Sequence, residues 1–382
     1  MSYDVVIIGA GSIGLPASLM LAEAKQKVLV IDPEHAPGQQ NNKKAIGGVR
    51  ATHSDFGKIS ICLRSIEILR NWQEERGEDI GWMSNGYSYP AYREEDAQTL
   101  KSLMKVQLDF GLNIRWLSPD EYQVLVPGIL KEGLLGSTYS PEDGSCSPLL
   151  TSNAYYFHSL KAGVDFHFQE RVTALESTGD TIHTVVTDKG RYHAGMVINS
   201  AGNHGRDIGL LAGDDLPVFP DNHEAGITEP VARFFGPMVV DMRKAPGSAN
   251  FYFYQNIEGQ VVFCITPDPP IVGIDNRSTS EFLPLCSKRM IEIYPRLRYL
   301  KVRRTWRGQY PMTPDGFPIL GFGSQKKNLI NAVGMCGQGF MLGPGMGELI
   351  CRMATDDLSD DDYRVLKSFD PDRDFSAEET FK

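Results

Sequence analysis

Residues 4–32 read DVVIIGAGSIGLPASLMLAEAKQKVLVID. Val5, Val6, Ile7 and Ile8 make a β-branched run short enough for a buried parallel strand. Gly9, Gly11 and Gly14 follow as G-x-G-x-x-G, with Ser12 and Ile13 inside the motif. The first glycine permits a tight turn, the second lets a pyrophosphate reach the backbone, and the third lets a helix pack on the strand. Pro16 falls in the first helical turn, where a missing N–H costs little. Residues 27–31 form a second apolar run, and Asp32 ends it, placed to accept from a ribose diol. Strand, turn, helix, strand and acid in this order predict a dinucleotide site, with phosphates at the helix N-terminus.

The rest of the chain narrows the class. A length of 382 residues suits two domains or one elaborated one. A formal charge of −10 argues against nucleic acid as a partner, but not against a small acidic substrate in a local basic pocket. No stretch resembles a membrane span, and residues 1–4 lack the basic region of a signal peptide, so a cytoplasmic protein is expected. The six cysteines are scattered with no C-x-x-C, so neither an iron–sulfur cluster nor a zinc site is expected, only reduced thiols.

Residues 33–55 are polar, glycine-bearing and unperiodic, which predicts a long functional loop. Helices are expected over 58–75, 94–110, 149–161, 279–294 and 343–353, and strands over much of 165–199. From 217 to 272 the pattern is strongly β. An α/β start, a β-rich middle and an α/β ending predict one domain interrupted by another. The acidic stretch 356–362 reads as a solvated surface.

Near the C-terminal end stands GMCGQGFMLGPGMGE, residues 334–348. Its glycines follow an apolar strand and open a helix, which predicts a second backbone-lined ligand wall. A nicotinamide cofactor does not call for such a wall; a flavin, whose reduced ring carries negative charge at one edge, suits it.

RTWRGQYPMTPDGFPILG (304–321), followed by NAVGMCGQGFMLGPGMGE, resembles the D-amino-acid-oxidase superfamily of FAD enzymes, and within it the β-subunits of heterotetrameric sarcosine oxidases and dye-linked L-proline dehydrogenases. TEPV (228–231), DNRSTSEFL (275–283) and VINSAGNHG (197–205) extend the resemblance over nearly the whole chain. It implies an α/β fold in which a Rossmann-like FAD-binding domain (1–85, 145–216, 306–382) is interleaved with a β-rich α+β substrate domain (86–144, 217–305).

The implied activity is FAD-dependent oxidation of the C–N bond of an amino acid such as proline or sarcosine. The alternatives are a 2-hydroxy acid or glycerol phosphate dehydrogenase, with His53 or His223 as base, and a non-catalytic flavoprotein subunit of an electron-transfer complex. Gly47 and Gly48 would let the loop pass the flavin ring, Val172 would contact adenine, and Ala201 and Gly202 the pyrophosphate. Gly337, Gln338, Gly339, Phe340 and Met341 would line the flavin. Arg50, in GGVRATHSD, matches the arginine that pairs with the substrate carboxylate. Tyr252 and Tyr254, in NFYFYQ, and His223 are further candidates for substrate contact, with ordinary packing roles as the alternative.

Four departures from the family pattern are informative. Gly308 stands where one-chain sarcosine oxidases tether flavin through cysteine, so non-covalent FAD is expected. Met341 stands where they carry a carboxylate-binding lysine. Pro148 stands where heterotetrameric enzymes attach FMN to histidine. Val262 matches an oxygen-activating lysine, which implies a dehydrogenase or slow oxidase with a redox partner subunit.

Overall fold

The computed structural model describes residues 1–376; the last six positions of the expected 306–382 piece lie outside them. Two eight-stranded sheets organise the chain. In the first, strand Ser2–Ile8 lies between Val28–Asp32 and Arg191–Asn199, parallel to both. Asp165–Phe168 extends one side, and Leu329–Val333 and Ile319–Phe322 the other. Side chains alternate across a strand, and here both faces are covered. Val5 and Ile7 pack against helices Gly14–Glu23, Phe56–Arg76 and Gly339–Ala354 through Leu15, Leu19, Ile61, Leu342 and Met346. Val6 and Ile8 pack beneath the antiparallel pair Val172–Thr178 and Thr181–Thr187 and helix Gly205–Ala212. Burial on both sides is why the opening run is continuously apolar.

The second sheet runs in the order Val302–Met312, Phe219–Thr228, Val261–Asp268, Gly247–Gln255, Met238–Asp241, Tyr87–Ala91, Gly136–Ser140, Arg115–Leu117. Its one face is a core in which Phe251, Phe253 and Phe263 meet helix Phe282–Ile293 through Phe282, Cys286 and Met290. The alternate residues Tyr252, Tyr254, Val262 and Cys264 point the other way. The short strand Gly48–Val49 pairs with Gly144–Ser145, clipping the long loop after Asp32 to the middle of the chain.

The helices expected over 58–75, 94–110 and 149–161 are present as Phe56–Arg76, Glu94–Asp109 and Pro148–Lys161. The final glycine-rich helix begins one turn earlier than expected, at Gly339, and takes Pro344 in its second turn. The acidic stretch 356–362 departs from a plain solvated surface. Ser359 and Asp362 form a capping box that opens helix Asp360–Phe369, and Asp362 is buried against Arg352 at 2.6 Å. The strand Val302–Met312 belongs wholly to the second sheet and so runs across the expected boundary at 306.

Candidate functional site

Two helix N-termini meet at one place. At the first, Gly9 adopts φ +112°, open to glycine and strained for other residues. A Cβ on Gly14 would lie 1.9 Å from the Gly9 carbonyl oxygen, so the helix seats directly on the turn. At Gly11 a Cβ would meet nothing within 4 Å, so the backbone there borders open space. Among the described residues no side chain caps helix Gly14–Glu23, and no acid stands in its first turn. Its end therefore offers N–H groups and a positive dipole. Asp32 accepts from Ala10 N at 2.7 Å and Glu34 N at 2.8 Å. Burial raises its pKa, against those two hydrogen bonds.

The second N-terminus is that of Gly339–Ala354, likewise without a side-chain cap or a first-turn acid. Its Gly339 and Gly343 press on Ser12: their Cβ positions lie 3.1 Å from Ser12 Oγ and 2.0 Å from Ser12 O. Before it, Gln338 is buried with neither amide atom hydrogen-bonded among the described residues. Gly337 leaves room for the Tyr310 ring, 2.4 Å from where a Cβ would sit.

Both ends border one cavity of about 1300 Å³, larger than the 300–1,000 Å³ of an ordinary small-ligand pocket. Gly9, Gly11, Ser12, Ile13 and Asp32 line it from the first motif, with Val172, Ala201 and Gly202 beside them. Gly337, Gln338, Gly339, Phe340 and Met341 line it from the second wall, Gly47, Gly48 and Arg50 from the long loop, and His223, Tyr252 and Gly308 from the second sheet. Two expected residues are not on the wall. Gly14 is turned onto the Gly9 carbonyl, a packing position. Tyr254 donates its hydroxyl to the Ile46 carbonyl and packs with Tyr87, Met238 and Val262. Two residues of register separate Tyr254 and Val262 from Tyr252 and Cys264, which do reach the cavity.

Arg50 is only 8% exposed. Its guanidinium donates to the Thr52 carbonyl and lies 3.3 Å from His53 Nδ1. His53 does not reach the cavity; its Nε2 is 3.5 Å from Cys62 Sγ. Burial, then the Arg50 and Lys58 charges, push its pKa well below the ordinary value, so it is neutral.

Opposite stands a cluster that sequence reasoning only half found. Tyr252 and Tyr310 share a hydroxyl hydrogen bond of 2.8 Å, and Tyr310 stacks on His223 at 3.7 Å. His223 Nε2 is 3.1 Å from Asp221 Oδ2, while its buried Nδ1 has no partner among the described residues. Tyr310, Asp221 and Cys264 were not anticipated. The strand period could have put Asp221 on one face with His223, but Tyr310 opposite Asp221 and Cys264 opposite Tyr252 follow from the strand register.

These features fit FAD: two uncapped helix ends for phosphate and ring, open backbone at Gly11 and Gly202, an unpartnered buried amide at Gln338, and room for a small substrate besides. Among the described residues no helix is long and apolar enough to cross a membrane.

Comparison with known proteins gives the same answer. Residues 4–353 match the family model DAO, FAD dependent oxidoreductase. Glycine oxidase of Geobacillus kaustophilus is 24% identical over 91% of this chain and 92% of its own. Sarcosine oxidase subunit beta of an Arthrobacter species is 24% identical over 93% and 88%. The crystal structure of L-proline dehydrogenase from P. horikoshii superposes with a TM-score of 0.90 at 26% identity, covering 97% of each chain. The chain belongs to the DAO family of FAD-dependent oxidoreductases, and FAD is its cofactor.

Proposed function

We propose that the protein oxidises the C–N bond of a small amino acid bearing a secondary amine, such as proline, sarcosine or a relative. One observation carries this reading above the others: a nearly buried arginine faces the same cavity as two uncapped helix ends. Arg50 binds the substrate carboxylate through its guanidinium fork, held in place by Thr52 and His53. Bound FAD supplies the two-electron acceptor for the substrate Cα–H bond. Asp221 holds the Nε2 hydrogen of His223, leaving Nδ1 as the acceptor for the ammonium proton that must leave before oxidation. The Tyr252–Tyr310 pair fixes the substrate's other side, and Phe340 and Met341 exclude water. The names of the sarcosine and proline enzymes support the secondary-amine class, and that of the glycine enzyme the wider class of small amino acids.

The His223–Asp221 pair also favours a second reading, in which Nδ1 takes the proton of a 2-hydroxy acid or of glycerol phosphate. Anaerobic addition of amino acids and hydroxy acids, followed by flavin absorbance, separates the two. Bleaching by a secondary amino acid supports the first and bleaching by a hydroxy acid the second. Bleaching by neither marks a non-catalytic flavoprotein subunit.

The interleaved domain division is part of the proposal. The strand membership of the sheets supports it, with the last boundary moved past Met312. We also propose that reduced enzyme passes electrons to a partner subunit rather than rapidly to oxygen. Val262 is apolar and packed away from the cavity, so it offers no charge for developing superoxide. Two relatives, sarcosine oxidase subunit beta and hydrogen cyanide synthase subunit HcnC, are named as subunits. Air reoxidation as fast as dye reoxidation would refute this.

A further inference from the structure

Beside Arg50 lies a carboxylate with no place in the mechanism above. Asp143 is wholly buried, in the loop that follows strand Gly136–Ser140. Its Oδ1 accepts from Ala51 N at 2.9 Å, one residue beyond Arg50 and 92 positions away along the chain. Its Oδ2 has no hydrogen-bond partner among the described residues. It is not on the cavity wall. Among the described residues the charged and titratable groups that act on it include Arg50, Glu142, Cys62, Tyr87 and Tyr139, and Arg50 is the cation of that set.

Burial makes a half-satisfied carboxylate costly to keep ionised, and the Arg50 charge and the Ala51 N–H are what favour its anion. A substrate carboxylate on Arg50 brings a second anion to the same cation, and two carboxylates sharing a site do not both stay charged cheaply. We propose that Asp143 takes up one proton from solvent when a carboxylate docks on Arg50, which makes substrate affinity proton-coupled. This rests on the reading of Arg50 as the carboxylate anchor.

The neighbours leave Asp143 as the responder. Burial pushes its carboxyl up to about 7, against the Ala51 N–H and the Arg50 charge. Burial also lifts Cys62 to about 12 and Tyr87 well above its ordinary value, so both stay protonated. His53 is held neutral far below the same range.

The test uses FAD-loaded enzyme and cyclopentanecarboxylate, which has no amine to contribute protons. Calorimetry at pH 7.5 in buffers of different ionisation enthalpy should show uptake of roughly half a proton, and affinity should fall about tenfold from pH 6 to 9. Asp143→Asn keeps the acceptor for Ala51 N; it should abolish the uptake and flatten the pH dependence. The infrared difference spectrum of wild-type enzyme should gain a protonated carboxyl band on binding, a readout that stands whether or not the variant folds. Binding without uptake or without that band, or uptake unchanged in Asp143→Asn, overturns the proposal and leaves Arg50 as anchor. No binding to wild type, or equal binding to Arg50→Ala, overturns the anchor itself.

Discussion

Replacing Gly343 by alanine tests whether the two helix ends form one binding surface. Its Cβ would stand 2.0 Å from the Ser12 carbonyl oxygen, which is backbone and cannot swing aside. Helix and loop would have to part by roughly 1.4 Å to reach ordinary contact. Overpacking of this kind costs about 1–3 kcal/mol of stability. The displaced groups include the N–H donors of the phosphate turn. A hydrogen bond to a charged group is worth about 1.5–3 kcal/mol, so loss of one should weaken FAD binding about 10- to 100-fold. Gly345→Ala is the control: its Cβ would meet the Ile61 carbonyl oxygen at 2.5 Å, on helix Phe56–Arg76 and away from the phosphate turn. Both variants should melt earlier in the apo form, but only Gly343→Ala should lose FAD affinity when flavin fluorescence is titrated. Wild-type FAD affinity in Gly343→Ala, or an equal loss in Gly345→Ala, would refute the reasoning.

Arg50→Ala should raise KM for the best amino acid by 30-fold or more with FAD retained, since truncating one member of a desolvated charge pair costs about 2–5 kcal/mol; steady-state kinetics would show it. Acid precipitation should release all the flavin as FAD into the supernatant, because Gly308 offers no tethering side chain on the cavity wall; colour in the pellet would contradict this. Arg373→Ala should cost about 3–5 kcal/mol by leaving buried Asp315 without its fork at 2.7 and 3.1 Å. Burial raises the Asp315 carboxyl, but the Arg373 fork, the Phe317 N–H and Thr313 outweigh it and hold it below its ordinary value. Its contribution is therefore present above about pH 4 and lost as the pH falls further, so urea melts of wild type and variant should converge in acid.

Local signals carried the first half of the fold. The opening strand–turn–helix–strand is written in residues 4–32, and the amphipathic helices announced themselves by period. Helix Pro119–Leu125 was missed although Ser118, Pro119 and Glu121 spell a capping box with proline at its start. Helix Asp360–Phe369 was hidden because its acids read as a charge run rather than as a first turn opposite a dipole. The two-residue pairing of Gly48–Val49 with Gly144–Ser145 has no period to detect. The same distance in sequence concealed Asp143, whose carboxylate meets Ala51 N 92 positions away. Arg50 itself was legible through its resemblance. Asp221 and Tyr310 needed the register of strands 219–228 and 302–312, which no local pattern fixes.

The order of the strands also sets a timetable for synthesis. Ser2–Ile8 and Val28–Asp32 leave the ribosome before their later partners, so the phosphate turn and its ribose acid can be made ahead of them. The other neighbour of Ser2–Ile8, Arg191–Asn199, follows some 160 residues after Asp32, and the wall at Gly337–Met341 later still. A nascent chain thus carries an open nucleotide-grasping unit, with no lid for the ring, while the roughly 300 residues between the two walls are made. Flavin capture therefore follows synthesis of the second wall, and supply of FAD in the cell acts on the yield of mature protein rather than on the first folding steps of this unit.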